Sequence, residues 1–241
     1  MDAGCSGAAA TGSLLDKQRW KDGRVSFLLR VVLPDQPGSL GAVATALGVA
    51  GADILGVDVV ERAGGKAVDD LAVELPPERP PDVLITAAES VPGVQVESVR
   101  PHSGHLDTHR ELELIEAIAA DPGNGLKLLA DGVPRIFRAG WALIAVREGT
   151  RSYRLAESNA SPDTRAGDLP WLPLERAIVI DPARHWVPEP WTDLDTELAA
   201  APMGGAAQAL VAGRVGGPAF RPSEVARLAH LAGIVTTILA A

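Results

Sequence analysis

Hydrophobic and polar positions in residues 24–100 follow both a strand-like and a helix-like period, which predicts a mixed fold for this part of the chain. Residues 25–33 are dense in Val, Leu and Phe, and Pro34, Pro37 and Gly38 end that strand because they cannot continue a ladder. From Ser39 the apolar residues recur at helical spacing. The predicted elements are strands at 25–33, 54–62, 66–75 and 94–99 and helices at 39–50 and 82–90.

A second series of elements is predicted in residues 111–241. Helical spacing predicts helices at 111–120, 126–137 and 221–239, and apolar runs predict strands at 141–148, 152–157, 177–180 and 207–215. Residues 181–205 are rich in proline and tryptophan and are expected to be irregular. Residues 101–110 are polar and without period, which is typical of a linker.

These element orders predict an α+β fold class with two domains. The order β-α-β-β-α-β in residues 24–100 is that of the ferredoxin-like split βαβ arrangement, with both helices on one face of an antiparallel sheet. Residues 111–241 are expected to form an α+β domain with an antiparallel sheet bracketed by helices. Residues 1–23 are expected to be a flexible arm, and residues 101–110 a linker.

Composition and charge exclude several classes of function. The chain has 241 residues, 46% of them hydrophobic, and a formal net charge of −9. Such a composition is globular, and an acidic chain without a basic block is poorly suited to nucleic acid or to an anionic membrane. The single cysteine, Cys5, excludes an intramolecular disulfide. We expect a cytoplasmic protein, since no stretch has the pattern of a secretory signal or of a membrane span.

Two short motifs indicate what the first domain resembles. The turn Asp35-Gln36-Pro37-Gly38-Ser39-Leu40 fits the pattern D-x-P-G-x-L, and Gly51-Ala52-Asp53-Ile54 fits G-A-N-I with aspartate in place of asparagine. On these motifs residues 24–100 resemble an ACT domain. The resemblance implies a regulatory module that binds an amino acid or related metabolite at the interface of a homodimer. The implied ligand-binding residues are Asp35, Gln36, Pro37, Gly38, Ser39, Leu40, Asp53 and Ile54.

Two roles are open for these residues, ligand binding and an ordinary structural role. Gly38 lets a ligand approach the backbone where a helix begins, and the free N–H groups there favour an anion such as a carboxylate. Asp35 either accepts a hydrogen bond from a ligand ammonium or caps the turn. Asp53 would repel a carboxylate and attract an amine, which changes the ligand orientation that the family implies, or it is a surface acid.

The second domain resembles a GAF-type domain. The resemblance rests on residues 133–143, which join a predicted helix to a strand, and on residues 217–224, which precede the last helix. It implies a small-molecule pocket or a dimerisation module. Trp171, Trp186 and Trp191 either wall such a pocket or pack irregular loops onto the sheet, and packing is the more common use of tryptophan there.

One cluster has the residue types of a metal site. His102, His105, Asp107 and His109 have spacings that would bring imidazoles together on a helix. Pro101 and the Ser-Gly pair after His102 favour a loop instead, so we expect a solvated linker and no metal.

The function that these observations favour is a non-enzymatic sensor. It would bind its ligand at an ACT dimer interface, use no cofactor, and act on a separate effector protein, because the sequence shows no output domain. One alternative is a structural dimerisation subunit without a ligand. Another is an enzyme with its site near residues 186–197, but Asp193, Asp195 and Glu197 there are expected to form the acidic first turn of a helix.

Overall fold

The computed structural model describes residues 25–102, 109–163, 169–205 and 207–241. These residues form two antiparallel sheets and six α-helices, so the α+β fold class is confirmed. The chain divides into two compact units, with residues 25–59 and 64–102 in the first and residues 60–63 and the described residues from 109 onward in the second. The expected flexible arm, with Cys5, lies outside the described residues, and the predicted domain limits stay predictions.

The first unit contains the predicted β-α-β-β-α-β order, with limits that differ from the predicted ones by at most two residues. The elements are β1 (Val25–Pro34), α1 (Ser39–Val49), β2 (Asp53–Ala63, of which residues 53–59 belong to this unit), β3 (Lys66–Leu75), α2 (Asp82–Glu89) and β4 (Gln95–Pro101). The strand order in the sheet is β2-β3-β1-β4, and β1 pairs antiparallel with β3 and with β4.

One hydrophobic core joins the two helices of the first unit to its sheet. Val43 and Leu47 lie one turn apart on α1, as do Leu84 and Ala88 on α2, so each pair shares a helix face. These residues pack on alternate positions of β1 and β3, which point to the same side of the sheet. The strand residues of this core are Phe27, Leu29, Val31, Leu33, Ala67, Leu71, Val73 and Leu75.

The second unit is built on a five-stranded antiparallel sheet in the order β6-β5-β9-β8-β7. Its elements are α3 (Arg110–Ala120), a short 3₁₀ helix (Pro122–Asn124), α4 (Gly125–Ile136), β5 (Trp141–Glu148), β6 (Arg151–Glu157), β7 (Ile178–Ile180), α5 (Glu189–Thr192), β8 (Glu197–Pro202), β9 (Gln208–Arg214) and α6 (Pro222–Leu239). Helices α3, α4 and α6 pack on one face of the sheet. The other face is covered by side chains from residues 169–191.

The expectation that residues 181–205 are irregular is wrong. This stretch contains helix α5 and strand β8, which lies between β9 and β7. Alanine favours helix, so the sequence Leu-Ala-Ala-Ala at 198–201 carries little strand signal of its own. Pairing with β9 over the whole length of β8 overrides that preference.

The predicted acidic helix turn at Asp193, Asp195 and Glu197 is also wrong. Glu197 begins β8, and the two aspartates lie in the exposed turn before it. Leu194 and Asp195 have φ angles of 57° and 52°, which helix does not allow. The turn is held because the Gly216 N–H donates to the Leu194 carbonyl oxygen at 3.0 Å.

Candidate functional site

The loop between β1 and α1 holds six of the eight residues implied as ligand contacts. Asp35, Gln36, Pro37 and Gly38 are exposed, and Ser39 and Leu40 begin α1 half-buried. The loop is fixed to the β2–β3 hairpin because the Asp35 N–H donates to the Gly65 carbonyl oxygen at 3.0 Å. The loop is therefore both accessible and held in place.

Gly38 is the N-cap residue of α1 and has a φ angle of 93°, in the region that favours glycine. A Cβ atom built at Gly38 would enter open space, with no described atom within 4 Å. Because the cap residue has no side chain, no side chain at that position covers the first turn. The first-turn N–H groups and the positive end of the helix dipole favour an anion at this position.

Asp53 and Ile54 lie at the other end of α1. They are the first residues of β2, which starts after the helix has ended at Val49. Asp53 is exposed and Ile54 is half-buried. The helix has 11 residues, which at about 1.5 Å per residue separates its ends by about 16 Å. One copy of the chain therefore does not bring the two groups of implied ligand contacts together.

The four residues considered for metal binding are not shown to form a cluster. His102 follows β4, where its N–H donates to the Ser26 carbonyl oxygen at 2.9 Å, and His109 is the exposed N-cap residue of α3. His105 and Asp107 lie outside the described residues. Within the ranges that the structure describes, no group of three or more His, Cys, Asp or Glu side chains is arranged to hold a metal ion.

The loop tryptophans pack against the sheet of the second unit. Trp191 is fully buried, and its ring centroid lies 5.7 Å from that of Trp141 on β5. Trp171 and Trp186 are half-buried at the border of the same core, with centroids 6.5 Å apart. The middle of this face is thus filled by the protein's own side chains.

Sequence reasoning missed a buried ion pair in the first sheet. Arg30 on β1 and Asp70 on β3 are 1% and 0% exposed and lie directly opposite each other. The guanidinium donates from Nε to Oδ1 and from Nη2 to Oδ2, both at 2.7 Å. Four residues away along the same two strands, the Ser26 hydroxyl donates to Glu74 Oε1 at 3.2 Å. The signal that could have found the pair was a charged residue in the middle of each of two predicted strands, at Arg30 and Asp70.

No family model matches the chain, and no curated protein matches it. An unknown protein from Galdieria sulphuraria is 16% identical, over 79% of this chain and 80% of that one, with a TM-score of 0.31. The GAF domain of an Acinetobacter phosphoenolpyruvate-protein phosphotransferase is 13% identical, over 56% of this chain and 95% of that one, with a TM-score of 0.42.

The GAF domain of the corresponding protein from Coxiella burnetii is 14% identical, over 54% of this chain and 93% of that one, with a TM-score of 0.43. Solved structures similar to part of this chain therefore include GAF domains. The resemblance of residues 24–100 to an ACT domain rests on its motifs and element order. Among the described helices, none combines the length and the hydropathy that crossing a bilayer requires.

Proposed function

We propose that the protein is a non-enzymatic sensor in which two copies of the first unit, an ACT-type domain, bind an amino acid or related metabolite between them. The observation that carries this proposal is the exposed β1–α1 loop, where α1 begins at a glycine N-cap residue whose Cβ position is open. Such a helix start favours the carboxylate of an amino acid.

In the proposed site, the second copy of the chain supplies Asp53 as the other ligand contact. An exposed carboxylate at this position suits the ammonium group of the same ligand, so a zwitterion has a partner for each of its charges. The wide separation of the two contact groups within one copy supports a shared site, because only a second chain can supply the missing half.

The topology offers a surface for this pairing. Strand β2 is an edge strand, and its Val57 and Val59 are 42% and 44% exposed. Strands β1 and β2 both neighbour β3 and run antiparallel to it. The last residues of β1 and of β2 therefore lie at the same end of the sheet, where the β2–β3 hairpin also lies. Antiparallel pairing of residues 53–59 between two copies would set Asp53 of one copy opposite Val59 of the other, four residues before the end of β2 at which that copy carries its β1–α1 loop.

We propose that the second unit is a GAF-like domain that transmits the ligand signal to a separate effector protein. Support comes from its five-stranded antiparallel sheet with three helices on one face. The ligand would act by its different affinity for two states of the dimer. The alternative of a purely structural subunit fits a filled apolar loop better than the exposed loop that is observed at Gly38.

A thermal-shift screen of the purified protein against the twenty amino acids tests the proposal. A ligand at 100 times its Kd adds about 2.7 kcal/mol to the free energy of unfolding, which raises Tm by several degrees. Gly38→Val should abolish the shift. Gly149→Val is the matched control, since Gly149 also has positive φ and open space around its Cβ position but lies in the second unit. A shift that persists in Gly38→Val would move the site elsewhere.

A further inference from the structure

Strand β2 contributes residues to both compact units of the chain. It runs without a break from Asp53 to Ala63, and its residues 53–59 group with the first unit whereas residues 60–63 group with the second. Asp53 is the first residue of the strand, and the pairing proposed above for two copies uses residues 53–59. The part of β2 that has these proposed roles is therefore followed directly by residues of the second unit.

A side-chain hydrogen bond holds β2 where its second-unit part begins. Ser223, in the first turn of helix α6, donates from its hydroxyl to the Val60 carbonyl oxygen at 2.7 Å. Serine hydroxyls commonly bond to backbone groups close to them in sequence. Here the two partners are 163 positions apart, so the bond attaches the strand to a helix at the far end of the chain.

The Ser223 end of this bond is anchored in the core of the second unit. The next residue, Glu224, is buried, and its carboxylate accepts from the Arg221 N–H at 2.9 Å and from Arg214 Nη2 at 2.7 Å. The same Arg214 nitrogen, which is fully buried, donates to the carbonyl oxygen of Phe137 at the end of α4, also at 2.7 Å. The start of α6 is thus fixed to β9 and to α4, and the first turn cannot move freely.

We propose that β2 couples the stability of the two units and that the hydrogen bond from Ser223 to Val60 is the joint through which it does so. Continuity of the chain alone does not couple them, because a strand end that nothing holds can shift without cost to the second unit. With the bond in place, a displacement of β2 must either break it or move the first turn of α6. As far as it concerns signalling, this inference rests on the proposed function, because a ligand at Asp53 would act on the same strand.

Urea unfolding of the full chain, with a perturbation in the first unit and a probe in the second, tests the proposal. The perturbation is Leu47→Ala, which leaves a cavity in the core of the first unit. The probe is tryptophan fluorescence, with Trp20, outside the described residues, replaced by phenylalanine throughout. The remaining tryptophans, all in the second unit, are Trp141, Trp171, Trp186 and Trp191. If the units are coupled, Leu47→Ala should lower the urea midpoint of this signal.

Variants of Ser223 locate the joint. In Ser223→Ala the midpoint shift that Leu47→Ala causes should be less than half as large, because the strand is released from α6. In Ser223→Thr, which keeps the hydroxyl, the shift should remain. Because shifts are compared within each background, the effect of Ser223→Ala on the second unit itself cancels.

Ser161→Ala is the matched control. The Ser161 hydroxyl also donates to a backbone carbonyl oxygen of the second unit at 2.7 Å, but its partner is Ala142 on β5. This variant should leave the midpoint shift caused by Leu47→Ala unchanged. Val43→Ala, a smaller truncation in the same core as Leu47, is measured in parallel, so that the test remains available if Leu47→Ala fails to fold.

Two results would overturn the proposal. A fluorescence midpoint that neither Leu47→Ala nor Val43→Ala changes would mean that the two units unfold independently. Equal shifts in the wild type and in Ser223→Ala would mean that the hydrogen bond is not the joint. None of these measurements uses a ligand, so a failed amino-acid screen would count against the proposed function and not against this coupling.

Discussion

The Arg30–Asp70 pair shows how two side chains can fix the register of a sheet. Each is almost fully buried, and the bidentate contact forms only when Arg30 and Asp70 lie opposite each other. Transfer of both charges from water is costly, so the pair as a whole adds little net stability. Loss of one partner has a larger effect, because the remaining charge stays buried and loses its bidentate contact.

Asp70→Asn should therefore lower the free energy of unfolding by about 3–5 kcal/mol, measured by urea unfolding. Asp131→Asn removes the same charge from the exposed pair with Lys127 and should cost less than about 1 kcal/mol. Similar losses in the two variants would show that the buried pair matters no more to the free energy of unfolding than the exposed pair does.

Tyr153 gives a second prediction at the residue scale. A hydrogen bond to Glu148, together with desolvation and the negative charge of that carboxylate, raises the pKa of the Tyr153 phenol above its ordinary value of 10.0. Tyr153 is the sole tyrosine of the chain, so the absorbance of tyrosinate reports this group alone.

The midpoint of that titration should lie above pH 10.0 and should fall in Glu148→Ala, whereas Glu157→Ala should leave it nearly unchanged. The contact favours the protonated phenol, so any stability that it adds is present below pH 10.0 and disappears as the pH rises through the raised pKa. A midpoint unaffected by Glu148→Ala would contradict the assigned cause.

Strand elements of the second unit depend on their neighbours more than on their own composition. Strand β8 was missed because its alanines indicate helix, whereas β5, dense in apolar residues and bearing Trp141, was predicted with its observed limits. The elements of the first unit were predictable because proline and glycine mark their ends, as at Pro34 and Gly38. Cross-strand packing, which decides β8, is not visible in local sequence.

Gly213 on β9 is an example of cross-strand packing in the second unit. It lies opposite Trp141, and a Cβ atom built at Gly213 would come within 2.1 Å of the indole ring. Gly213→Ala should therefore lower the free energy of unfolding by about 1–3 kcal/mol through overpacking, measured by denaturant titration. In a Trp141→Leu background the same change should cost clearly less.

Gly233→Ala on α6 is the control for this prediction. A methyl group there would enter open space, so the substitution should stabilise the protein by about 0.5–1 kcal/mol. If Gly213→Ala is as well tolerated as Gly233→Ala, the indole of Trp141 does not restrict β9 at that position.

At the scale of the whole molecule, the proposed sensor depends on a second copy of the chain. Asp35–Leu40 and Asp53–Ile54 were predicted from the sequence as one site. Their placement at opposite ends of α1, which is the reason for the proposed dimer, is visible only in the structure. Sites built from distant segments require the tertiary structure.

A mixed-dimer experiment tests the shared site most directly. Gly38→Val and Asp53→Lys chains are prepared separately and as a co-expressed mixed dimer, and the binding of the amino acid that shifts the wild-type Tm is measured by calorimetry. Each variant alone should fail to bind. The mixed dimer should bind about one ligand per two chains, because one of its two sites combines an intact loop with an intact Asp53. A mixed dimer that binds nothing while the wild type binds would contradict a site shared between two copies.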